Sequence, residues 1–223
     1  MFTEPEIFFS KIEGEIREIF NEIIEGTFQF NKENKIKILY FLYFQAYRTS
    51  AYRRAMNFIH EQIISQMKER KYEEKYCKSF TYAVGMQYGE NYYQISRLFN
   101  RKNISDFIIF NLNEYNWLIG KVNGSLGLLT SDDPAILFLS KLPNWCFPIT
   151  PKLALIFCDK NSNTSLKHNC TNTIFMTSED VVKCNGINLS PTIRYKYVFG
   201  ALSDLELIKP IILKFDNNFK PLF

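Results

Sequence analysis

Ile36-Lys-Ile-Leu-Tyr-Phe-Leu-Tyr-Phe-Gln45-Ala-Tyr-Arg48-Thr49-Ser-Ala-Tyr52-Arg53 is the stretch on which the reading of this chain turns. It is apolar on almost every side, and no Pro or Gly occurs between Ile36 and Lys71. That pattern predicts one long central helix, covered on all faces in its first half and solvated over the charged residues Glu61 to Lys78. Its most apolar run, Ile38 to Phe44, is far shorter than the ~20 residues a membrane-spanning helix requires, so it reads as core and no membrane partner is expected.

Outward from this helix, Pro5 to Gly26 forms a second helical pattern, with Ile12, Ile16, Ile19, Phe20, Ile23 and Ile24 recurring at helical spacing. Glu15, Glu18, Glu22 and Glu25 fall on the opposite face, whereas Glu13 projects into the apolar stripe and needs a partner. Asn91 to Phe99 predicts a short helix. After Asn103 the character changes to short apolar runs separated by turn residues: Trp117 to Val122, Ser125 to Thr130, Ala135 to Leu139, Ala154 to Cys158, Thr173 to Met176 and Tyr195 to Phe199. These predict strands. Ser178 to Asn185 predicts a helix with acids in its first turn, and Lys160 to Asn172 an exposed loop. The expected fold is α+β: one domain over 1–223, mainly helical in 1–104 and mainly strand in 105–223, with long helices packing against a small C-terminal sheet.

At 223 residues and 46% apolar content the chain can bury a sizeable core. The opening Met-Phe-Thr-Glu-Pro-Glu-Ile-Phe-Phe has neither a basic start nor a long apolar segment, so a cytoplasmic location is expected. The five cysteines show no Cys-x-x-Cys spacing, and reduced thiols are the default. Of 27 basic and 23 acidic residues, residues 1–34 hold 3 and 8 (net −5) and residues 35–78 hold 10 and 4 (net +6). This asymmetry suggests electrostatic support within the fold, and it leaves the basic segment as a candidate surface for nucleic acid.

Three stretches are familiar in combination: Phe44-Gln45-Ala-Tyr-Arg48-Thr49-Ser-Ala-Tyr-Arg53, Leu129-Thr130-Ser131-Asp132-Asp133-Pro134-Ala135, and Phe147-Pro148-Ile-Thr-Pro151-Lys-Leu-Ala-Leu. Together they resemble the domain of unknown function 4238 family, in which a Gln-x-x-Arg-Thr helix precedes a Thr-Ser-Asp-Asn-Pro-Val turn and a Pro-Leu-Ser-Pro strand entry. Lys183-Cys-Asn185 followed by Arg194-Tyr-Lys-Tyr-Val-Phe199 is similar to the family's closing Asn-bearing helix and last strand. Asp133 and Ala135 stand where the family has Asn and Val. Family members usually begin with a strand bearing a His-His-x-x-Pro-x-x-Tyr-Leu pattern, and nothing in residues 1–34 matches it. The resemblance implies positions and no established reaction.

Gln45, Arg48 and Tyr52, read on one uninterrupted helix, would share a face among apolar neighbours, so Arg48 is expected to be part-buried and paired. The available carboxylates are Glu13 and Asp132. In the structural account Arg48 pins the Ser131-Asp132-Asp133-Pro134 turn to the helix. In the functional account Gln45 and Arg48 bind an anionic oxygen, and Asp132 or Glu13 is a base or metal ligand. Gln45, Arg48 and Asp132 are thus the candidate catalytic residues, and Glu13, Thr49, Tyr52, Arg53 and Ser131 the candidate binding residues. Asp132 and Asp133 are the candidate ligands for Mg²⁺ or Mn²⁺. The favoured function is a non-catalytic or incomplete member of its family, truncated or split, associating with a separate N-terminal fragment or with itself. The alternative is a hydrolase or nuclease-like enzyme acting on a phosphorylated or nucleic-acid substrate.

Overall fold

The computed structural model describes residues 4–83, 98–131, 144–160, 172–188, 198–200 and 206. Helix α1 spans Glu4–Glu25 and buries Ile16, Ile19 and Ile23, with Glu15, Glu18, Glu22 and Glu25 in solvent as the spacing predicts, whereas Glu13, placed by the spacing in the apolar stripe, is also exposed. Ile24, assigned to the same stripe, is exposed. Gly26 ends the helix with φ +79, and Thr27 N–H bonds back to the Glu22 carbonyl. This left-handed turn is the usual glycine helix stop, since a Cβ would be strained there.

Helix α2 runs Lys32–Tyr47 and opens on Asn31, whose side chain accepts from Asn34 N–H at 2.8 Å. It buries Ile38, Leu39, Phe41, Leu42, Tyr43, Phe44, Ala46 and Tyr47, which lie all round the axis, as expected of a central helix. The expected continuous helix to Lys71 is corrected: α2 ends at Tyr47, and α3 begins anew as Ser50–Glu69. Thr49 makes the break. Its backbone is extended (φ −75, ψ 153), and its Oγ1 accepts from Tyr52 N–H at 3.1 Å, satisfying one of the orphan donors of α3. Helix α4 follows as Glu74–Ala83.

Helix α5, Arg101–Glu114, lies where the sequence reading placed the change to strands, and it is capped by the Asn100 side chain accepting from Asn103 N–H. It runs into β1, Tyr115–Val122. With β3 (Asn144–Thr150), β4 (Leu153–Asp159) and β5 (Thr173–Met176), β1 forms a four-stranded sheet of order β3-β4-β1-β5. The β3–β4 and β4–β1 pairs are antiparallel, and β1–β5 is parallel. The short β2, Thr130–Ser131, pairs antiparallel with β6, Val198–Phe199, in a separate ribbon. Helix α6 spans Ser178–Asn188.

Alternation along the strands divides the core in two. Tyr115, Trp117, Ile119, Trp145, Phe147, Leu155 and Phe157 face α1, α2 and α5. On this face the paired residues Trp145 and Phe157 stack with ring centroids 3.6 Å apart and planes 8° from parallel. Leu118, Cys146, Ala154, Ile156, Cys158 and Met176 face Val181 of α6. Gly120 points to this second face, where a Cβ would come within 2.6 Å of Ile156 Cδ1 and 2.7 Å of Met176 Sδ. The fold is therefore α+β, with long helices on one face of a small C-terminal sheet.

Two strand expectations change. The stretch Ser125 to Thr130 is loop except for Thr130, because its backbone is held by side chains: Lys152 Nζ donates to the carbonyls of Gly124, Ser125 and Leu126. The strand β3 was missed because Pro148 lies within it. Pro is tolerated there because β3 is the outer strand on its side among the described residues, and a register shift falls at Pro148 and Thr150. Ala135 to Leu139, most of Asn91 to Phe99, most of Lys160 to Asn172 and residues 195–197 lie outside the described residues. Among the described residues no helix is long and apolar enough to cross a membrane.

Candidate functional site

Arg48 occupies the junction between α2 and α3 as the C-cap of α2, its own N–H bonded to the Phe44 carbonyl at 2.9 Å. Its Nη1 donates to Glu13 Oε1 on α1 at 2.6 Å, its Nε donates to Gln45 Oε1 at 3.3 Å, and its guanidinium lies 5.7 Å from the Phe9 ring centroid. One arginine thus ties α1 to the end of α2. Of the two carboxylates open to it in the sequence, it meets Glu13, and Asp132 lies outside the described residues. The side chains of Arg48 and Glu13 keep 33% and 49% of their surface exposed, so the pair is at the surface. Water screens such pairs, and they contribute little to stability.

The remaining candidates divide between this junction and the sheet ribbon. Thr49 caps α3, and buried Tyr52 lies beyond the break with its ring 4.8 Å from that of Tyr47, at 84°. Because the helix is interrupted, Gln45 and Tyr52 do not share one helix face as the spacing suggested. Arg53 belongs to α3. Ser131 is buried in β2, opposite Val198 of β6. Asp132 and Asp133 lie outside the described residues. Among the described residues no group of three or more His, Cys, Asp or Glu side chains could hold a metal ion.

The approach to Ser131 is fixed from α6. Buried Asn185 accepts from Leu129 N–H through Oδ1 at 2.8 Å and donates through Nδ2 to the Gly127 carbonyl at 2.9 Å. A primary amide is the group that can both accept from and donate to a passing backbone in this way. Thr177 and Asp180 start α6: Asp180 Oδ2 accepts from both Thr177 N–H and Thr177 Oγ1 at 2.8 Å, and Thr177 Oγ1 accepts from Asp180 N–H at 3.2 Å. Beneath this helix, burial and then the neighbouring Cys184 push the Cys158 thiol up to about 11. The hydrogen bond from Cys146 holds Cys184 below its ordinary range.

Sequence reasoning did not find two concave regions. One, of about 330 Å³, lies where the α1–α2 turn meets the β1–β5 half of the sheet, among Ile23, Gly26, Phe28, Phe30, Ile119 and Thr173. The other, of about 470 Å³, lies between the start of α2 and α5. Both join residues distant in the chain, and the local signal is the basic first turns of α2, where Lys32 and Lys35 precede its apolar run.

The family model described as a protein of unknown function (DUF4238) matches residues 3–201. No curated protein and no solved structure matches the chain. With nearly its whole length covered, the chain belongs to that family.

Proposed function

We propose, from that membership, that this chain works as a non-catalytic binding unit whose sheet is completed at the β5 edge by a strand from another polypeptide. The observation that carries this is the state of β5. Among the described residues it is the outermost strand of the sheet, paired with β1 on its inner side, and its Phe175 is 67% exposed. An unpaired strand edge presents a row of N–H and C=O groups that another chain can join. Phe175 shares the face of Ile119 and Lys121, beside the 330 Å³ cavity, so an added segment would cover the ring and reach that cavity. The occupant favoured is an extended segment of the family's His-His-x-x-Pro-x-x-Tyr-Leu type, and a second copy of the chain is the competing one.

Sedimentation equilibrium and thermal melting of the chain, alone and with a synthetic peptide of that pattern, test the reading. A rise in mass and melting temperature with the peptide, lost in Phe175→Lys, is expected. Self-association lost in the same variant would identify the second copy. A monomer indifferent to the peptide would overturn strand addition.

A second reading rests on Arg48, whose Nε and Nη1 are engaged while the part-exposed guanidinium keeps its other donors for an anionic oxygen. On that reading Gln45 and Arg48 hold the phosphoryl group of a phosphorylated or nucleic-acid substrate. Asp132 is then the base, and Asp132 with Asp133 binds Mg²⁺ or Mn²⁺. Phosphate release from a general phosphomonoester with either metal, abolished by Asp132→Asn, is the expected sign. Metal-induced stabilisation equal in the wild type and Asp132→Asn would remove the metal site.

A further inference from the structure

We propose that the groove between the first turns of α2 and helix α5 binds a phosphate monoester carried on an apolar body. The groove encloses about 470 Å³, within the range of small-molecule sites. Ile36 of α2 and Ile108, Ile109 and Leu112 of α5 form its walls, Phe30 closes one end, and Lys32 and Lys35 stand among them. Ile109 is 54% exposed, an apolar side chain left in water where the groove opens.

The charge within it is one-sided. Lys35 Nζ sits 5.7 Å from the ring centroids of both Phe30 and Trp117, and among the described residues no carboxylate pairs with it. Burial, and after it the charge of Lys160, draw the Lys35 ammonium below its ordinary range. Lys160 in turn reaches the backbone carbonyl of Asn113, which belongs to the groove lining, at 2.5 Å. The nearest acid along α2, Glu33, is engaged by Lys37 at 2.8 Å. Trp117 is 4% exposed, and its Nε1–H has no acceptor among the described residues. Among the described residues the neighbourhood of Lys35 is therefore short of negative charge twice over, with an ammonium lacking a carboxylate and an indole donor lacking an acceptor.

A protein gains no stability from two cations facing one another beside an apolar trough. A bound anion would relieve that repulsion, and at about −1.5 to −2 charge a phosphate monoester matches two lysines better than a carboxylate does. Lysine is suited to phosphate as a compact point charge on a flexible stem, without the planar fork that favours carboxylates. The four aliphatic walls specify the remainder of the ligand as apolar. This inference does not depend on the strand-addition reading, since the groove lies on α2 and α5 and β5 contributes nothing to its lining.

Calorimetric titration and thermal melting of the full chain with hexyl phosphate, AMP and inorganic phosphate test it, in the wild type, Lys35→Met and Ile109→Glu. Both esters are expected to bind more tightly than inorganic phosphate, with Lys35→Met and Ile109→Glu each weakening the esters by about tenfold or more. Lys35→Met is also expected to melt above the wild type without ligand, because an apolar side chain replaces a partly buried charge. Tighter binding of hexyl phosphate assigns a lipid-like source, and tighter binding of AMP a nucleotide. Ester binding no stronger than that of inorganic phosphate overturns the site, as does undetectable binding or binding that survives both substitutions. Should Lys35→Met fail to fold, Ile109→Glu decides alone, since Ile109 lies at the solvent-facing mouth.

Discussion

Glu13 and Arg48 lie 35 positions apart in the chain and 2.6 Å apart in space, joining the middle of α1 to the last turn of α2. Their exposure sets the energy of the contact. Were both charges buried, losing one would cost ~3–5 kcal/mol. With the side chains 33% and 49% exposed, a double-mutant cycle on Arg48→Ala and Glu13→Gln should give a coupling of ~0.2–1 kcal/mol that shrinks in high salt. Denaturant melts measure it, and a coupling above ~3 kcal/mol would mean the pair is desolvated in solution.

Thr49 carries more of the local stability than its charged neighbour. Replacing it with Ala removes the acceptor of Tyr52 N–H in a buried setting, and a lost N-cap costs ~0.5–2 kcal/mol. Thr49→Ser keeps the oxygen and should retain most of that amount. If Thr49→Ala proved neutral in urea unfolding, α2 and α3 would be continuous in solution.

The two substitutions also separate what was legible in the chain from what was not. A charge on an apolar face needs a counter-charge, so Glu13 could be named beside Asp132 as a partner for Arg48, but spacing did not choose between them. Helix α1 was open to reading from the spacing of Ile16, Ile19 and Ile23, and strand β5 from its short apolar run between turn residues, although Ile24 and Phe175 are exposed. The break at Thr49 was hidden because a capping hydroxyl interrupts a helix without Pro or Gly, inside a run apolar enough to read through. Helix α5 was hidden for another reason: Ile109 and Phe110 are exposed, which blurs the stripe formed by Ile104, Phe107, Ile108 and Asn111. The Lys35 groove had no linear signature, since its facing walls, such as Ile36 and Ile108, lie 72 positions apart in the chain.

Asn185 should be the least replaceable polar side chain of α6. Asn185→Ala removes both its bonds to the 127–129 backbone, and losing buried hydrogen-bond partners costs ~1–3 kcal/mol per group. Asn185→Asp keeps the acceptor for Leu129 N–H but directs a carboxylate oxygen at the Gly127 carbonyl. That variant should be least stable near neutral pH and recover partly in acid, when the carboxyl gains a proton it can donate. Amide exchange at Leu129 should quicken in Asn185→Ala, and unchanged exchange there would show that the clasp does not hold this backbone.

Alkaline pH should expose the burial of Cys158. Its folded-state value of about 11 lies above the ordinary 9.0, with burial the larger cause and the Cys184 charge the smaller. Between those values the unfolded chain has released the thiol proton while the folded chain retains it. The unfolded state thus binds fewer protons, and stability falls as pH rises. The contribution of Cys158 is fully present below pH 9.0 and is lost as pH climbs through about 11. Cys184, held low by Cys146, acts in the opposite direction, so the wild-type profile alone would mix the two. Comparison with Cys158→Ala separates them, because the alanine variant lacks only the first. The stability difference between wild type and Cys158→Ala, measured by urea unfolding under reducing conditions, should be widest near neutral pH and narrow steadily above pH 9.0. A difference constant across that range would mean that the thiol ionises alike in both states and that solvent reaches it beneath α6.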